Sequence, residues 1–314
     1  MQKLAGSQGR RSRPPSVLAI FGPTASGKTA VAEAVADRLG GQVVSADSMQ
    51  AYEGLPILTA QPERPTRLVG VWPLSHAGSV GEYAELAHAA IDEILASDRI
   101  PVVAGGTGLY LRAALAELGV PPAPSAARRA HWEEVYDRVG PEAAHTVLSE
   151  RDPLSAARLH PNDRRRIVRA LELTELGASL RPEGDRLWVS ETRHPTIVFG
   201  LDIPQDVLAQ RIEERARRMF AAGVAEEVRR ALAQPISVTA VQALGLREIA
   251  ELPPEDALAA LIVRTRRYAA YQRKWMRRIS GLVSVNAGRP ADEVADEIVK
   301  VASAGERLPA GRAG

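Results

Sequence analysis

A complete G-x-x-x-x-G-K-T pattern occurs at Gly22-Pro23-Thr24-Ala25-Ser26-Gly27-Lys28-Thr29. Residues 17–21 before it are apolar, as in a buried strand, and residues 29–39 after it carry apolar side chains at helical spacing. This strand–loop–helix context is the one in which such a loop binds phosphate. Glycines let backbone N–H groups converge on phosphate oxygens, and the start of the helix adds positive potential. We expect Lys28 to reach the terminal phosphate and the Thr29 hydroxyl to ligate Mg²⁺.

Other candidate strands, at residues 42–46, 100–104 and 196–201, alternate with helical segments. This alternation predicts an α/β fold with a parallel sheet core of the P-loop NTPase type. Asp47 directly follows the second strand, so it is expected at the ligand-binding edge of the sheet. There it could hold magnesium through water or accept a proton from a nucleophile, or it could simply cap the turn at residues 45–48. These interpretations are equally compatible with its position.

A glycine-rich segment, GGTGLY at residues 105–110, follows the third strand. Its glycines would let a ligand approach the backbone closely, and Thr107 offers a hydroxyl at that place. A tight turn between strand and helix with no ligand would use the same residues, so the segment by itself is weak evidence for a site.

The composition is that of a globular protein: of 314 residues, 45% are hydrophobic and 25% are charged. No apolar run is long enough to span a membrane. The absence of cysteine excludes disulfides and thiolate metal sites. These properties predict a cytoplasmic protein with no membrane association.

The order of segments predicts two domains between two disordered tails, residues 1–15 and 303–314. The catalytic core is expected at residues 16–124 plus 191–302, and a helical insertion at residues 125–190. Residues 203–300 are expected to be helices packed on the core.

Arginine clusters form helical faces, with Arg165 and Arg169 on one helix and Arg211, Arg215 and Arg218 on another. The segment from Arg164 to Arg169 has no acidic neighbour until Glu172, which makes it the best candidate for binding RNA phosphates. A third helix, at residues 258–280, carries an aromatic stripe that is expected to be core packing rather than a surface for base stacking: Tyr268, Tyr271 and Trp275.

Several motifs together identify a family by their order and spacing. They are GPTASGKT (22–29), SADSMQAY (45–52), TAQP (59–62), GGTGLY (105–110), HPND (160–163) with RRRIVRALE (164–172), and QALGLRE (242–248). This series, over residues 16–300, resembles the bacterial tRNA dimethylallyltransferases, also called tRNA isopentenyltransferases. The resemblance implies transfer of dimethylallyl from dimethylallyl diphosphate to N6 of the adenosine just 3′ of the anticodon.

The resemblance also implies roles for single residues. Asp47 matches the general base, Thr107 a residue at the reacting centre, and Arg215 an arginine that binds the diphosphate. Segments matching tRNA-binding positions contain Asp47, Ser48, Met49, Gln50, Thr107, Arg128, Arg165, Arg166, Arg169, Gln242, Gly245 and Arg247. The expected partners are tRNA and dimethylallyl diphosphate, the expected cofactor is Mg²⁺, and the protein is expected to act as a monomer.

The sequence departs from the family pattern at Leu58 and Gln61, in a short segment at residues 63–80, and at Ala270 and Tyr271. These departures concern tRNA affinity rather than the chemistry. Three other functions use some of the same features. An adenylate isopentenyltransferase would act on free AMP, ADP or ATP, a P-loop kinase would need an acidic residue after an apolar strand, and an RNA-binding protein without activity would have no use for Lys28 and Thr29 beside Asp47.

Overall fold

The computed structural model describes residues 16–118, 126–180 and 191–304. The predicted tail at residues 1–15, most of the predicted C-terminal tail and the proline-rich boundary at residues 121–124 lie outside the described residues. The described residues form two compact units. The first contains residues 16–78, 83–116 and 191–304, and the second contains residues 79–82, 117–118 and 126–180.

A parallel five-stranded sheet lies at the centre of the first unit, with the strand order β2-β3-β1-β4-β5. Every neighbouring pair is parallel. The strands are β1 (Val17–Phe21), β2 (Gln42–Ser45), β3 (Pro101–Gly105), β4 (Thr196–Asp202) and β5 (Val283–Asn286). This sheet confirms the predicted parallel α/β fold.

The fifth strand corrects one expectation. Residues 203–300 were predicted to be helical throughout, but β5 lies within that range and pairs with β4. Its alternation of buried valines with exposed polar residues is a strand pattern only four residues long, and the long helix before it dominates the periodicity of the region.

Helices connect and cover the strands. In the first unit they are α1 (Lys28–Leu39), α2 (Pro56–Thr59), α3 (Val80–Ala96), α4 (Gly108–Leu115), α9 (Gln205–Ala221), α10 (Val224–Leu232), α11 (Leu246–Glu251), α12 (Pro254–Met276) and α13 (Ala291–Ala304); the first residues of α3 belong to the second unit. A short 3₁₀ turn spans Ala240–Gln242. The core between the sheet and helices α1 and α13 contains Ile20, Val35, Val102, Phe199 and Ile298, all fully buried.

The second unit is helical, with α5 (Ala126–Val139), α6 (Pro141–Arg151), α7 (Pro153–Ala156) and α8 (Arg164–Thr174). It has its own small core, in which Trp132 and Tyr136 of α5 pack with Leu148 of α6 and with Ile167 and Leu171 of α8. Within the described residues, no helix is long and apolar enough to cross a membrane.

Candidate functional site

The phosphate loop connects β1 to α1 in a conformation that exposes backbone N–H groups. Ala25 and Gly27 both have a left-handed backbone, with φ of 63° and 89°. Such left-handed residues turn successive N–H groups towards one point, which creates a concave site for an anion. The Ser26 hydroxyl is buried and has no hydrogen-bond partner among the described residues. An unpaired polar group in this loop fits a site that is completed by a bound ligand.

Lys28 begins α1, and its ammonium group donates a hydrogen bond of 2.8 Å to the Pro23 carbonyl. Burial lowers the pKa of Lys28 to about 8; Asp47 counteracts this shift and Arg215 adds to it. Burial likewise lowers the pKa of Arg215, again against the attraction of Asp47. Two partly buried cations whose charge is disfavoured by desolvation, with one carboxylate near both, form a site that favours an anionic ligand.

Arg215 reaches this loop from α9, and its guanidinium donates to the Thr24 hydroxyl at 3.2 Å. Arg211, one turn earlier, lies beside the loop as well, 3.4 Å from the Ser26 carbonyl oxygen. Arg218 points elsewhere: its side chain is exposed and lies 4.0 Å from Glu214. The structure thus brings two of the three arginines on this predicted face to the phosphate loop.

Asp47 lies two residues beyond β2, at the carboxyl edge of the sheet where it was expected. One of its carboxylate oxygens accepts a 3.0 Å hydrogen bond from the Met49 N–H, which is the turn-capping contact considered from the sequence. Among the described residues, the second oxygen has no hydrogen bond. Capping by one oxygen therefore leaves the other available to accept a proton, so the two interpretations of Asp47 are compatible.

Gln272 of α12 joins the phosphate loop to the glycine-rich segment after β3. Its buried side-chain amide accepts a 2.7 Å hydrogen bond from the Thr24 N–H and donates one of 2.8 Å to the Gly106 carbonyl. A Cβ atom on Gly106 would lie 2.2 Å from the Gln272 amide nitrogen, and one on Gly108 would lie 2.2 Å from the Trp275 ring. These two glycines are therefore required by the close approach of α12.

Thr107 lies between those glycines, at the start of α4. Its hydroxyl is 3.4 Å from the hydroxyl of Tyr268, another α12 residue. Burial and then Asp47 raise the pKa of Tyr268 to about 12, so this phenol keeps its proton at neutral pH. Asp47, Thr107 and Tyr268 thus lie near one another at the edge of the sheet.

The segment after Asp47 is held in place by glutamine side chains. Gln50 accepts a 2.8 Å hydrogen bond from the Ser45 hydroxyl and donates one to the Ala60 carbonyl. Gln61 donates to the Tyr52 carbonyl at 2.6 Å, while Leu58 is buried. The two departures from the family pattern in this segment therefore support its conformation.

Residues 242–247 are linked to the same segment, because the Tyr52 hydroxyl donates a 2.8 Å hydrogen bond to the Thr239 hydroxyl just before them. Gln242 and Arg247 are exposed. Gly245 has a left-handed backbone at φ 92°, and a Cβ there would lie 2.4 Å from Leu261. Only glycine fits both requirements, so this position follows from the packing of α11 on α12.

The arginines of the second unit differ in their pairing. Arg164 forms a bidentate ion pair with Asp137. Arg166 pairs with the nearby Asp163, and Arg169 pairs with the fully buried Glu172. Only Arg165 in this run is exposed and has no side-chain partner among the described residues. The absence of acidic neighbours in the local sequence was therefore a wrong guide to how these arginines are paired.

Two more charged residues complete that network. Arg129 lies 3.3 Å from Glu172, and Arg128 lies 3.4 Å from Glu175. Glu175 also accepts a hydrogen bond from the Trp132 ring nitrogen. Glu172 of α8 and Glu175 just after it thus pair with arginines of α5 in the second unit.

Mg²⁺ typically takes one or two protein oxygens and completes its octahedron with water and substrate phosphates. The described residues contain no cluster of three or more acidic or histidine ligands. Candidate oxygen ligands at the phosphate loop include the exposed Thr29 hydroxyl in the first turn of α1, and the Asp47 carboxylate lies near Lys28. This donor set fits an ion that is held mainly by a bound diphosphate.

Comparison with known proteins gives a consistent result. A family model described as IPP transferase matches residues 50–279, and one described as isopentenyl transferase matches residues 15–67. A tRNA dimethylallyltransferase of an Anaeromyxobacter species is 41% identical over 90% of this chain and 98% of its own length. One from Corynebacterium jeikeium is 38% identical over 87% and 92%.

A solved structure supports the same relationship. The tRNA isopentenylpyrophosphate transferase of Bacillus halodurans superposes with a TM-score of 0.66 at 32% identity, over 93% of this chain and 96% of that protein. Because the first family model spans most of the chain and the relatives align over nearly their full length, the chain belongs to the IPP transferase family, that of the tRNA dimethylallyltransferases.

Proposed function

We propose that this protein transfers the dimethylallyl group of dimethylallyl diphosphate to N6 of the adenosine 3′ of the anticodon in tRNA. The observation that supports the proposal is the proximity of Lys28, Arg215 and Asp47 at one edge of the sheet. Lys28 and Arg215 are the cations, and Asp47 is the proposed base. A diphosphate leaving group needs the cations, and an amine nucleophile needs the base. Membership of the family supplies the identity of the two substrates.

The reaction makes one bond and breaks one. The N6–C1 bond forms as the bond between C1 and the diphosphate oxygen breaks, and the leaving diphosphate takes the electron pair. Backbone N–H groups of the phosphate loop, Lys28 and Arg215 stabilise the charge that develops on it. Bound at Thr29 and the diphosphate, Mg²⁺ would neutralise further negative charge there.

Asp47 accepts the proton that N6 loses, through the oxygen that does not cap the turn. Thr107 and Tyr268 lie beside it and can donate hydrogen bonds to the adenine or to the developing charge. An adenine in a base stack cannot reach such a site, so the adenosine has to leave its stack before it reacts.

The alternative function is that of an adenylate isopentenyltransferase. The isopentenyl transferase model that matches residues 15–67 is compatible with it. Both activities use the phosphate loop, so the acceptor distinguishes them. Purified protein is given labelled dimethylallyl diphosphate with either tRNA or AMP. We expect label in tRNA and none in AMP, whereas prenylated AMP would favour the alternative.

The lowered pKa of Lys28 predicts a pH dependence for donor binding. The ammonium group is charged below its pKa of about 8 and loses its charge above it. A bound diphosphate favours the charged form, so binding weakens as the pH rises through that value. We expect kcat/KM for dimethylallyl diphosphate to fall about tenfold per pH unit above it.

The matched control is Lys28→Arg, since guanidinium stays charged over this range. Its activity should be lower because the geometry differs, but its profile should lack the decline. A wild-type profile that stays level above this pH would mean that Lys28 is not the group that binds the donor.

Arg165 and Arg169 are expected to behave differently, although both match tRNA-binding positions. Arg165 is exposed and unpaired among the described residues, so Arg165→Ala should weaken tRNA binding and reduce the salt dependence of log K by roughly one unit of slope. Arg169→Ala removes one of the two arginine partners of buried Glu172 and should lower the free energy of unfolding by about 1–3 kcal/mol, since Arg129 still lies beside that carboxylate.

Salt titrations of tRNA affinity and denaturant unfolding measure the two effects on each variant. An unchanged salt slope for Arg165→Ala would remove it from the RNA interface. Wild-type stability for Arg169→Ala would show that the ion pair with Glu172 contributes nothing to the second unit.

A further inference from the structure

Tyr271 on α12 is a large aromatic residue exposed to solvent. Its side chain is 55% exposed, although the next residue, Gln272, is buried against the phosphate loop. The sequence pattern predicted that Tyr271 would pack in the core together with Tyr268 and Trp275, and for Tyr271 this prediction is wrong. Tyr268 and Trp275 are partly buried, as expected of packing residues.

The position of Tyr271 places it at the rim of the candidate site. It lies one turn after Tyr268, whose hydroxyl is near Thr107 and whose surroundings include Asp47. Tyr271 is itself close enough to Tyr268 to interact with it electrostatically. An exposed ring therefore stands next to the place where the reacting adenine is proposed to bind.

Unpaired cations flank this ring. Arg267 and Lys274 lie four residues before and three residues after Tyr271, which places them on its side of the helix. Both are exposed, and neither side chain has an ion pair or hydrogen bond within the described part of the chain.

Two cations on the opposite side of α12 have partners. Arg266 lies 3.5 Å from Glu213, and Arg273 lies 3.4 Å from Asp202. The two cations beside Tyr271 thus remain available for a negatively charged ligand, and an aromatic plane between free cations is the arrangement that binds single-stranded nucleic acid.

We propose that Tyr271 stacks on an unpaired nucleobase that neighbours the reacting adenosine, while Arg267 and Lys274 bind the phosphates on either side of that base. The inference rests on the proposed function, since it takes tRNA as the acceptor. Withdrawal of the adenosine from its stack exposes one face of a neighbouring base. Tyr271 covers that face, which stabilises the open form of the RNA and makes this residue a determinant of acceptor affinity.

The test compares Tyr271→Ala, Tyr271→Leu and Tyr271→Phe. Loss of one stacked base costs about 1–3 kcal/mol, so Tyr271→Ala should raise KM for tRNA roughly 5- to 150-fold. Tyr271→Phe should stay within about twofold of wild type because it keeps the ring, and Tyr271→Leu should resemble Tyr271→Ala. KM for dimethylallyl diphosphate should not change in any of the three.

A binding measurement gives a second readout. An anticodon stem–loop RNA with 2-aminopurine beside the reacting adenosine should lose fluorescence when it binds wild type and Tyr271→Phe, and should keep more of it with Tyr271→Ala. Leu232→Ala is the matched control, because Leu232 is an exposed apolar residue on α10, and its tRNA KM should equal that of wild type.

The outcomes separate the inference from the function on which it rests. If wild type does not prenylate tRNA, the proposed function fails. If wild type does, a wild-type tRNA KM for Tyr271→Ala would overturn the stacking inference alone. Equal performance of Tyr271→Leu and Tyr271→Phe would overturn it as well, because a general apolar contact would then suffice.

Discussion

Asp47→Asn is expected to slow prenyl transfer on the order of 10²- to 10⁴-fold, the usual contribution of a positioned general base. Asparagine keeps the size of the side chain, and its amide oxygen can still accept the hydrogen bond from the Met49 N–H. The turn should therefore remain intact, and both substrates should still bind. What the variant lacks is an oxygen that can take the proton from N6.

Single-turnover rates at saturating substrates measure this loss, and a titration with Mg²⁺ distinguishes three roles for Asp47. A large loss that Mg²⁺ does not rescue identifies the base. Recovery at high Mg²⁺ would mean that Asp47 mainly organises the metal. A rate close to wild type would mean that Asp47 only caps its turn. That result would overturn the mechanism, although the family assignment would stand.

Lys28→Ala is expected to lower turnover at least about 10²- to 10³-fold, since it removes the enclosed cation that faces the leaving diphosphate. Its ammonium group bonds to the loop through Pro23 and lies near Asp47 and Arg215. None of these contacts involves the exposed arginines proposed to bind RNA. Affinity for tRNA should therefore stay near that of wild type.

Equilibrium binding of tRNA, measured beside the rate, checks this division of roles. Lys28→Met is the matched control, because it keeps the length of the side chain without the charge and should lose as much activity as Lys28→Ala. A parallel fall of tRNA affinity and rate would show that Lys28 supports both substrates. Substantial activity in Lys28→Met would mean that another group neutralises the negative charge of the leaving diphosphate.

Local sequence was sufficient to predict the phosphate loop and its surroundings. A strand, a G-x-x-x-x-G-K-T loop and a helix follow each other without interruption, so the position of Lys28 could be predicted from neighbouring residues. Asp47 could be placed at the same edge because the carboxyl ends of parallel strands share an edge. Four of the five strands were predictable for the same reason, and β5 was too short to stand out beside α12.

Contacts between distant segments could not be read from the sequence. Gln272 holds Thr24 from 248 residues away, and no local pattern marks a glutamine as such a link. Arg164 has no acidic residue after it in the chain until Glu172, yet it forms its ion pair with Asp137, 27 residues before it. The exposure of Tyr271 is likewise set by where α12 packs, because helical spacing alone assigns it to the same stripe as Tyr268.

Mass spectrometry of the RNA product is the decisive test for prenylation of a tRNA adenosine at the site around Lys28 and Asp47. Unmodified tRNA is incubated with the protein, dimethylallyl diphosphate and Mg²⁺, then digested to nucleosides and, in parallel, to mapped fragments. We expect N6-dimethylallyladenosine, confined to the fragment with the adenosine 3′ of the anticodon, and none with Asp47→Asn in the same reaction time. A tRNA without prenylated adenosine, or a prenyl group on free AMP instead, would contradict this expectation.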